Sequence, residues 1–515
     1  MPSQVFHVEP PVQGLNARDA IDGLTPNEAI ELSNWIPDVG FMRSRRGHVL
    51  IASLPIDEPV ETLIPFEDDG EGVLLAVADG RIFNVSDTQN VFELTLPNGQ
   101  LPTSRVQHTV FTDLNGNQRV VITPSSKSES TFTPIEYNAG TDAIAEMVFT
   151  GIPDPAVLIE PVNFKGRIVF GDRTQLSAWY TQAGSLAGEL TELPLGSVFQ
   201  RGGGMRHVFT WSKDTGAGMD DMLGVMANTG ETIIYQGDDP DDALGWEMVQ
   251  RYNLPRPLDA ETERMASEVL YISEDGYVNL SQAISEGQVS DYAMFSGKIA
   301  RLVKNAVLRY RQNPGWQIIF YPRGNMVIAN IPQQTNRQFT QHVMNTRNGA
   351  WTTFKGMNAS ALCVWNGRLI FGSASGDIFW ADRGSSDNGE PISCTCVTAF
   401  SDLGIKNGMK NVKAMSVLHN HGYPEAFNLD CIVDFKAINL PPVTGIDERN
   451  VGQWNVSNWD EDYWGVEETP YGGTRWRRPL RGNGFNIAFA VRQASAAQIV
   501  YWFSSTIEFT VTGRK

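Results

Sequence analysis

Chemistry would be sought first where acids and aromatic rings alternate. Trp459-Asp460-Glu461-Asp462-Tyr463-Trp464 sets three carboxylates beside flat apolar platforms, the equipment of a glycosidase or a sugar-binding site. A two-carboxylate hydrolysis needs a second acid across the scissile bond, and a solvated acidic loop would have the same composition. His419 and His421 alternate, so on a strand they would share one face as metal ligands. Asp430 and Cys431 follow on a return strand, but no clear third ligand completes the set, and Asn420-His421-Gly422 reads as a polar turn. Asp238, Asp239, Asp241 and Asp242 surround Pro240. Their carboxylates suit a hard cation, but the spacing and glycine of an EF-hand are missing.

Motifs for phosphate and for covalent catalysis are missing. There is no G-x-x-x-x-G-K-[ST] loop to cradle a nucleotide. Gly372-Ser373-Ala374-Ser375-Gly376 has Ala374 where a nucleophile elbow needs serine, so it reads as a hairpin turn. Arg201-Gly202-Gly203-Gly204-Met205-Arg206 would offer amides and two guanidiniums to phosphate, yet no helix starts behind it. It reads as a flexible loop. Two further basic clusters are Arg43, Arg45, Arg46 and Arg475, Arg477, Arg478, Arg481. They suit DNA phosphate or an acidic neighbour; in an acidic chain that assembles with copies of itself, cross-subunit ion pairs are the preferred role. The residues singled out as subunit or DNA contacts are therefore Arg43, Arg45, Arg46, Arg201, Arg206, Arg477 and Arg478. No catalytic residue, cofactor or metal is assigned.

The net charge of -19 over 515 residues argues against a protein that grips nucleic acid over its whole surface. An acidic wall would instead repel DNA and let it slide. The chain is long enough for two or three domains. Its 48 glycines fit many tight turns. Cys363, Cys394, Cys396 and Cys431 match no zinc ribbon and read as reduced, buried thiols, with Cys394 and Cys396 on one strand face. Met1 to Pro11 is polar and broken by proline, and no apolar run reaches the roughly 18 residues needed to cross a bilayer. A soluble protein made in a cytoplasm is expected.

The elements that would hold these groups are strands. From about residue 55 one phrase recurs: apolar strand, small turn, apolar strand with an aromatic. It runs through Val73 to Val85 around Asp79-Gly80, Lys165 to Gly171, Val269 to Leu280 around Asp275-Gly276, and Asn366 to Trp380. A further pair straddles Asn115-Gly116. Asp-Gly between apolar runs predicts a hairpin, because a type I′ turn needs positive φ twice. The recurrence predicts a degenerate β-propeller over 55–395, with about six to eight blades at roughly 40–50 residues each.

Two helices break the pattern. Thr25-Pro26-Asn27-Glu28 reads as a capping box with proline at N1, ahead of Ala29, Ile30 and Leu32, with Pro37 as the stop. It would form a helical arm over 1–54, either structural or touching a neighbouring subunit. Lys298 to Gln312 places Ile299, Leu302, Val303, Ala306, Val307 and Tyr310 on one face and basic residues on the other. Residues 396–515 read as a separate sandwich or barrel of strands at 412–418, 427–433, 485–491, 499–503 and 506–511. Trp454, Trp459, Trp464 and Trp476 lie between them, to cap its core or meet another subunit. The expected fold is all-β: a degenerate propeller, a C-terminal β-domain and a short N-terminal helical arm.

The order Gly14-Leu15-Asn16, Arg18, Pro26, Glu28-Ala29, Leu32, Asn34-Trp35, Pro37, Gly40, Arg43, Arg45 and Gly47 resembles the opening of tail nozzle proteins, or packaged-DNA stabilisation proteins, of short-tailed bacteriophages. Trp502 to Phe509, ahead of Gly513-Arg514, resembles their ending more loosely. The resemblance implies a structural virion protein made in the bacterial host and placed in the tail. It implies a homo-oligomeric ring, most often of six copies, beneath the adaptor proteins and beside tail fibre or needle proteins, with double-stranded DNA passing through. It brings no catalytic motif. The alternatives are a propeller glycoside hydrolase with acids near Asp460 to Asp462, or a glycan-binding tail module.

Overall fold

In the computed structural model the described residues are 3–67, 72–113, 116–126, 130–214, 219–242, 244–286, 294–334, 337–420, 427–436, 451–452, 463–464 and 473–514. Among them, seven mainly antiparallel groups of strands follow one another along the chain, the last two joined through N-terminal strands and Glu390–Thr398 into one 14-stranded sheet. The first is Thr62–Phe66, Val73–Ala78, Arg81–Asn84 and Phe92–Glu93, and the second runs from Val106–Thr112 to Ala143–Glu146. The third opens with Leu158–Phe164, the fourth with Met205–Asp214 and the fifth, three-stranded, with Glu263–Met265. The sixth opens with Gln317–Tyr321 and the seventh with Ala361–Trp365. Opening strands of neighbouring sheets pack together, and Ala361–Trp365 returns to Thr62–Phe66. That closes a ring of seven blades and leaves no open sheet between them.

The turn chemistry holds at two of the predicted hairpins and not at Asp275-Gly276, where neither residue takes positive φ and four residues separate Ile272 from its partner Tyr277. Asp79 and Gly80 take φ of 50° and 67°, and Asn366 and Gly367 take 51° and 65°. Both pairs join strands in tight register, Ala78 opposite Arg81 and Trp365 opposite Arg368. The outermost strand of the seventh blade comes from the other end of the chain: His48–Ser53 pairs with Asp377–Ala381. The expected helix near 298–312 is present as Ala300–Tyr310, with Ala300, Val303, Ala306 and Val307 buried.

The C-terminal part is a sandwich of two sheets. In one, Gly408–Asn420 lies between Gly473–Gly484 and Tyr501–Arg514. In the other, Ile487–Ser495 joins Glu390–Thr398 to Asn428–Val433. Between them sit Met415, Val417, Phe489, Ile507 and Phe509. Cys394 and Cys396 point into this core from one strand, both fully buried and neither in a disulfide, and burial pushes the Cys396 thiol up.

The N-terminal segment corrects two expectations. Residues 25–37 form strands, Glu28–Ser33 and Trp35–Pro37, in place of a helix. Half of the capping box forms: the Thr25 amide donates to Glu28 Oε2 at 3.1 Å, while the Glu28 amide donates at 3.0 Å to the Thr25 backbone carbonyl in place of its side chain. It stops at one turn, because Ala29 to Ser33 pair with Thr395 to Thr398 of the sandwich. A single helix this short gains little from its own hydrogen bonds, and two covered faces gain more. Nor does this segment stand apart as an arm. Gln4–Val8 and Met42–Ser44 both pair with Tyr501–Arg514, while Gly14–Leu15 pairs with Glu28–Ser33 and meets Ala350–Phe354 of the sixth blade.

Candidate functional site

Three places gather polar or charged groups. The first is the seam where the N-terminal strands join propeller to sandwich. Asn34, at φ of 59°, donates through Nδ2 to the Ser393 and Lys355 carbonyls at 2.8 and 3.1 Å. Its Oδ1 accepts from the Lys355 amide and from Arg45 Nε, at 2.9 and 3.0 Å. One side chain thus binds the sandwich, the sixth blade and the next strand. Arg45 then pairs with Asp387, which also faces His48 at 3.1 Å. Burial would raise the Asp387 carboxyl, but hydrogen bonds from His48 and Arg45 hold it below the usual range. Trp35 and Trp502 meet edge to face at 5.9 Å, both fully buried.

Gly14 and Gly47 mark close approaches in the same seam. A Cβ on Gly14, whose φ is +78°, would lie 2.6 Å from the Trp351 carbonyl oxygen. One on Gly47 would lie 1.7 Å from that of Ser386. Asn16 donates to Asp19 and to the buried Glu28, which Lys298 also reaches at 3.3 Å.

The second place is the propeller's axial channel. Gln107, Glu160 and His207 stand on the opening strands of the second, third and fourth blades. Gln107 Nε2 donates to Glu160 Oε1, and His207 Nδ1 lies 3.4 Å from Glu160 Oε2. All three are buried. Glu160 carries φ of 51° where the ladder slips between Ile159 and Val162, and another slip lies between Met205 and His207. The bulges turn polar side chains toward the axis from strands that are otherwise apolar. At the mouth is a cavity of about 290 Å³, with Glu261, Glu263 and His108 in its wall. Glu261 is exposed within the cavity, with protein around it. That enclosure, with Glu160 and Glu263 nearby, pushes its carboxyl up to about 8. Burial pushes Glu263 up to about 7 although the Phe320 amide donates to it, and pushes His108 down to about 4.

The third place is set by the arginines the sequence singles out, which do not converge on one site. Arg45 is a correction: it is buried in the seam and cannot face a subunit or DNA. Arg43 and Arg46 lie at the seam's outer side, in the wall of one pocket. Arg206 pairs with Asp259 near the channel mouth. Arg201 is exposed, and its backbone amide, with that of Gln200, donates to the buried Glu231. The glycine-rich loop therefore already spends two amides on an internal carboxylate. Arg477 pairs with Glu508 at 2.8 Å on an exposed sheet face, and Arg478 donates to Asn428.

The acidic loop near 240 is likewise satisfied internally. Lys165 pairs with Asp238 at 2.9 Å, Arg167 with Asp239 at 2.5 Å, and the Tyr180 hydroxyl donates to Asp241 at 2.6 Å. Among the described residues no group of three His, Cys, Asp or Glu could hold a metal, and no helix is long and apolar enough to cross a membrane. His419 is fully buried. His421, Trp454, Trp459, Asp460, Glu461 and Asp462 lie outside the described residues.

The channel acids were not singled out from sequence. Their one local signal was a charge inside an apolar strand, as in Leu158-Ile159-Glu160-Pro161-Val162. No family model matches the chain, and no curated protein matches it. A chain of the solved structure titled "Crystal structure of BBS1N in complex with ARL6DN, soaked with lead" aligns at a TM-score of 0.38 and 11% identity, over 67% of this chain and 99% of that one. A likeness of that size says nothing of function.

Proposed function

We propose that this chain is a structural component of a short-tailed phage tail: the nozzle ring that retains packaged DNA and conducts it at ejection. The observation that carries the reading is where the resembling residues lie. The stretch from Gly14 to Gly47 and the stretch from Trp502 to Phe509 sit at opposite ends of the sequence, yet Trp35 packs on Trp502 in one core. Asn34, Arg45, Gly14 and Gly47 form the joint between the domains. The resemblance therefore falls on the residues that make the two domains one rigid block, as a wall under load requires.

The propeller's own axis is not the conduit in this reading. Gln107, Glu160 and His207 tie together the opening strands of three adjacent blades beside it. DNA would pass between copies, along a wall whose net charge of -19 discourages adhesion to phosphate. Electron microscopy of the purified chain, and of particles carrying it, tests this. Rings of cyclic symmetry, expected with six copies, support it; solitary molecules in the assembled particle sink it.

Glycoside hydrolysis is the second reading, and one observation favours it. Glu261 and Glu263 share the channel mouth with carboxyls raised to about 8 and 7, where a general acid stays protonated at neutral pH. Polysaccharide hydrolysis lost in Glu261→Gln would support it, and no hydrolysis by the wild type would remove it.

A further inference from the structure

Turns of the sixth and seventh blades meet the N-terminal strands around a pocket of about 360 Å³. This is the size of a small-ligand site, but its wall is unusually basic. Arg43, Arg46, Arg323, Arg347 and Arg383 line it, against two carboxylates, Asp38 and Asp382. Arg347 is matched to Asp38 at 3.3 Å. Arg43, Arg46 and Arg323 form no ion pair among the described residues; their charges act on Asp382 without contact. Burial raises the Asp382 carboxyl against their pull, and a single acid cannot offset three guanidiniums. Five cations and two acids leave about three positive charges in one concavity of a strongly acidic protein. Like charges held together by fixed turns repel unless an anion joins them.

The aromatic lining is already engaged. Arg383 lies over the Trp380 ring at 3.8 Å and Arg368 over it at 4.2 Å. Tyr501 stacks with Phe503 at 6.4 Å. Tyr321, the third ring of the lining, is buried and donates to Asp382 at 3.4 Å, so what the pocket offers is charge and forked donors. Guanidinium forks match tetrahedral oxyanions two bonds at a time.

We propose that this pocket binds a phosphate group, either free phosphate or a phosphate of a nucleic-acid backbone. The site lies within one chain, so ring assembly, read separately by microscopy, can fail without touching it. Arg46 and Arg323 are exposed, and Arg46→Ala with Arg323→Ala should leave the fold intact, as circular dichroism would verify. Phosphorus-31 line broadening and calorimetry with inorganic phosphate form one arm. Fluorescence anisotropy with two labelled duplexes of unrelated sequence forms the other. Wild type should bind phosphate, and the double variant should bind at least tenfold more weakly. If the source is a backbone, both duplexes bind alike, and the salt slope falls by about two in the variant. Phosphate binding without duplex binding assigns the free anion. No phosphate binding, or binding unchanged in the variant, overturns the proposal. So does an acidic peptide that binds there more tightly than phosphate.

Discussion

Arg45 and Asp387 are joined by two parallel hydrogen bonds, Nη1 to Oδ1 at 2.8 Å and Nη2 to Oδ2 at 2.5 Å, inside the seam between the domains. Arg45 also donates to the Lys355 carbonyl at 2.9 Å and to Asn34 at 3.0 Å. Removing Asp387 leaves Arg45 charged and buried with only neutral acceptors, the Asn34 amide and the Lys355 and Arg46 carbonyls. Asp387→Ala should therefore destabilise the chain by about 3–5 kcal/mol, read from the urea midpoint. A change within about 0.5 kcal/mol would mean that the pair is not structural.

The glycines of the seam should be far less replaceable than glycines of open turns. Gly47→Ala drives a methyl onto the Ser386 carbonyl, whereas Gly166→Ala, at φ of +74°, meets nothing within 4 Å. The latter should lose about 1–2 kcal/mol to the left-handed conformation alone. Gly47→Ala should lose more or fail to fold, and equal thermal midpoints for the two would refute the close approach.

Trp35→Ala should lose about 3–5 kcal/mol, the range for emptying a buried aromatic site. Because Trp35 bears on Trp502, limited proteolysis should then release the C-terminal sandwich strands first. Cleavage confined to the propeller would contradict this.

The channel acids give stability a definite pH slope. Folded Glu261 and Glu263 titrate near 8 and 7, against an ordinary value of 4.5. Between 4.5 and 8 the folded chain holds protons that the unfolded chain has lost, so stability falls as pH rises through that window. The exposure of Glu261 to solvent softens the effect. Denaturation at pH 5.5 and 8.5 should show the decline, and Glu261→Gln with Glu263→Gln should flatten it. A decline unchanged in that variant would place its origin elsewhere.

Local signals carried the propeller. Asp79-Gly80 and Asn366-Gly367 adopt the positive φ their types favour, and the amphipathic pattern of Lys298 to Gln312 yields a helix with that face inward. The N-terminal helix failed because Thr25 and Glu28 satisfy their local bond in a single turn, after which pairing with a strand hundreds of residues away decides the outcome. The channel acids and the arginine pocket were not legible, because ring closure brings together residues that no short window contains. Arg43 and Arg46 were visible as a cluster; Arg323, Arg347 and Arg383 join them only through turns of separate blades.

The strand His48–Ser53 waits for a partner that comes much later: Ser53 meets Asp377 across 324 residues. A growing chain emerging from the ribosome must keep that early strand unspent while six blades are made, with its edge open to wrong pairing. Slow, late completion follows, so the yield of correctly built protein should depend on translation speed and on chaperones more than on the strength of any single blade.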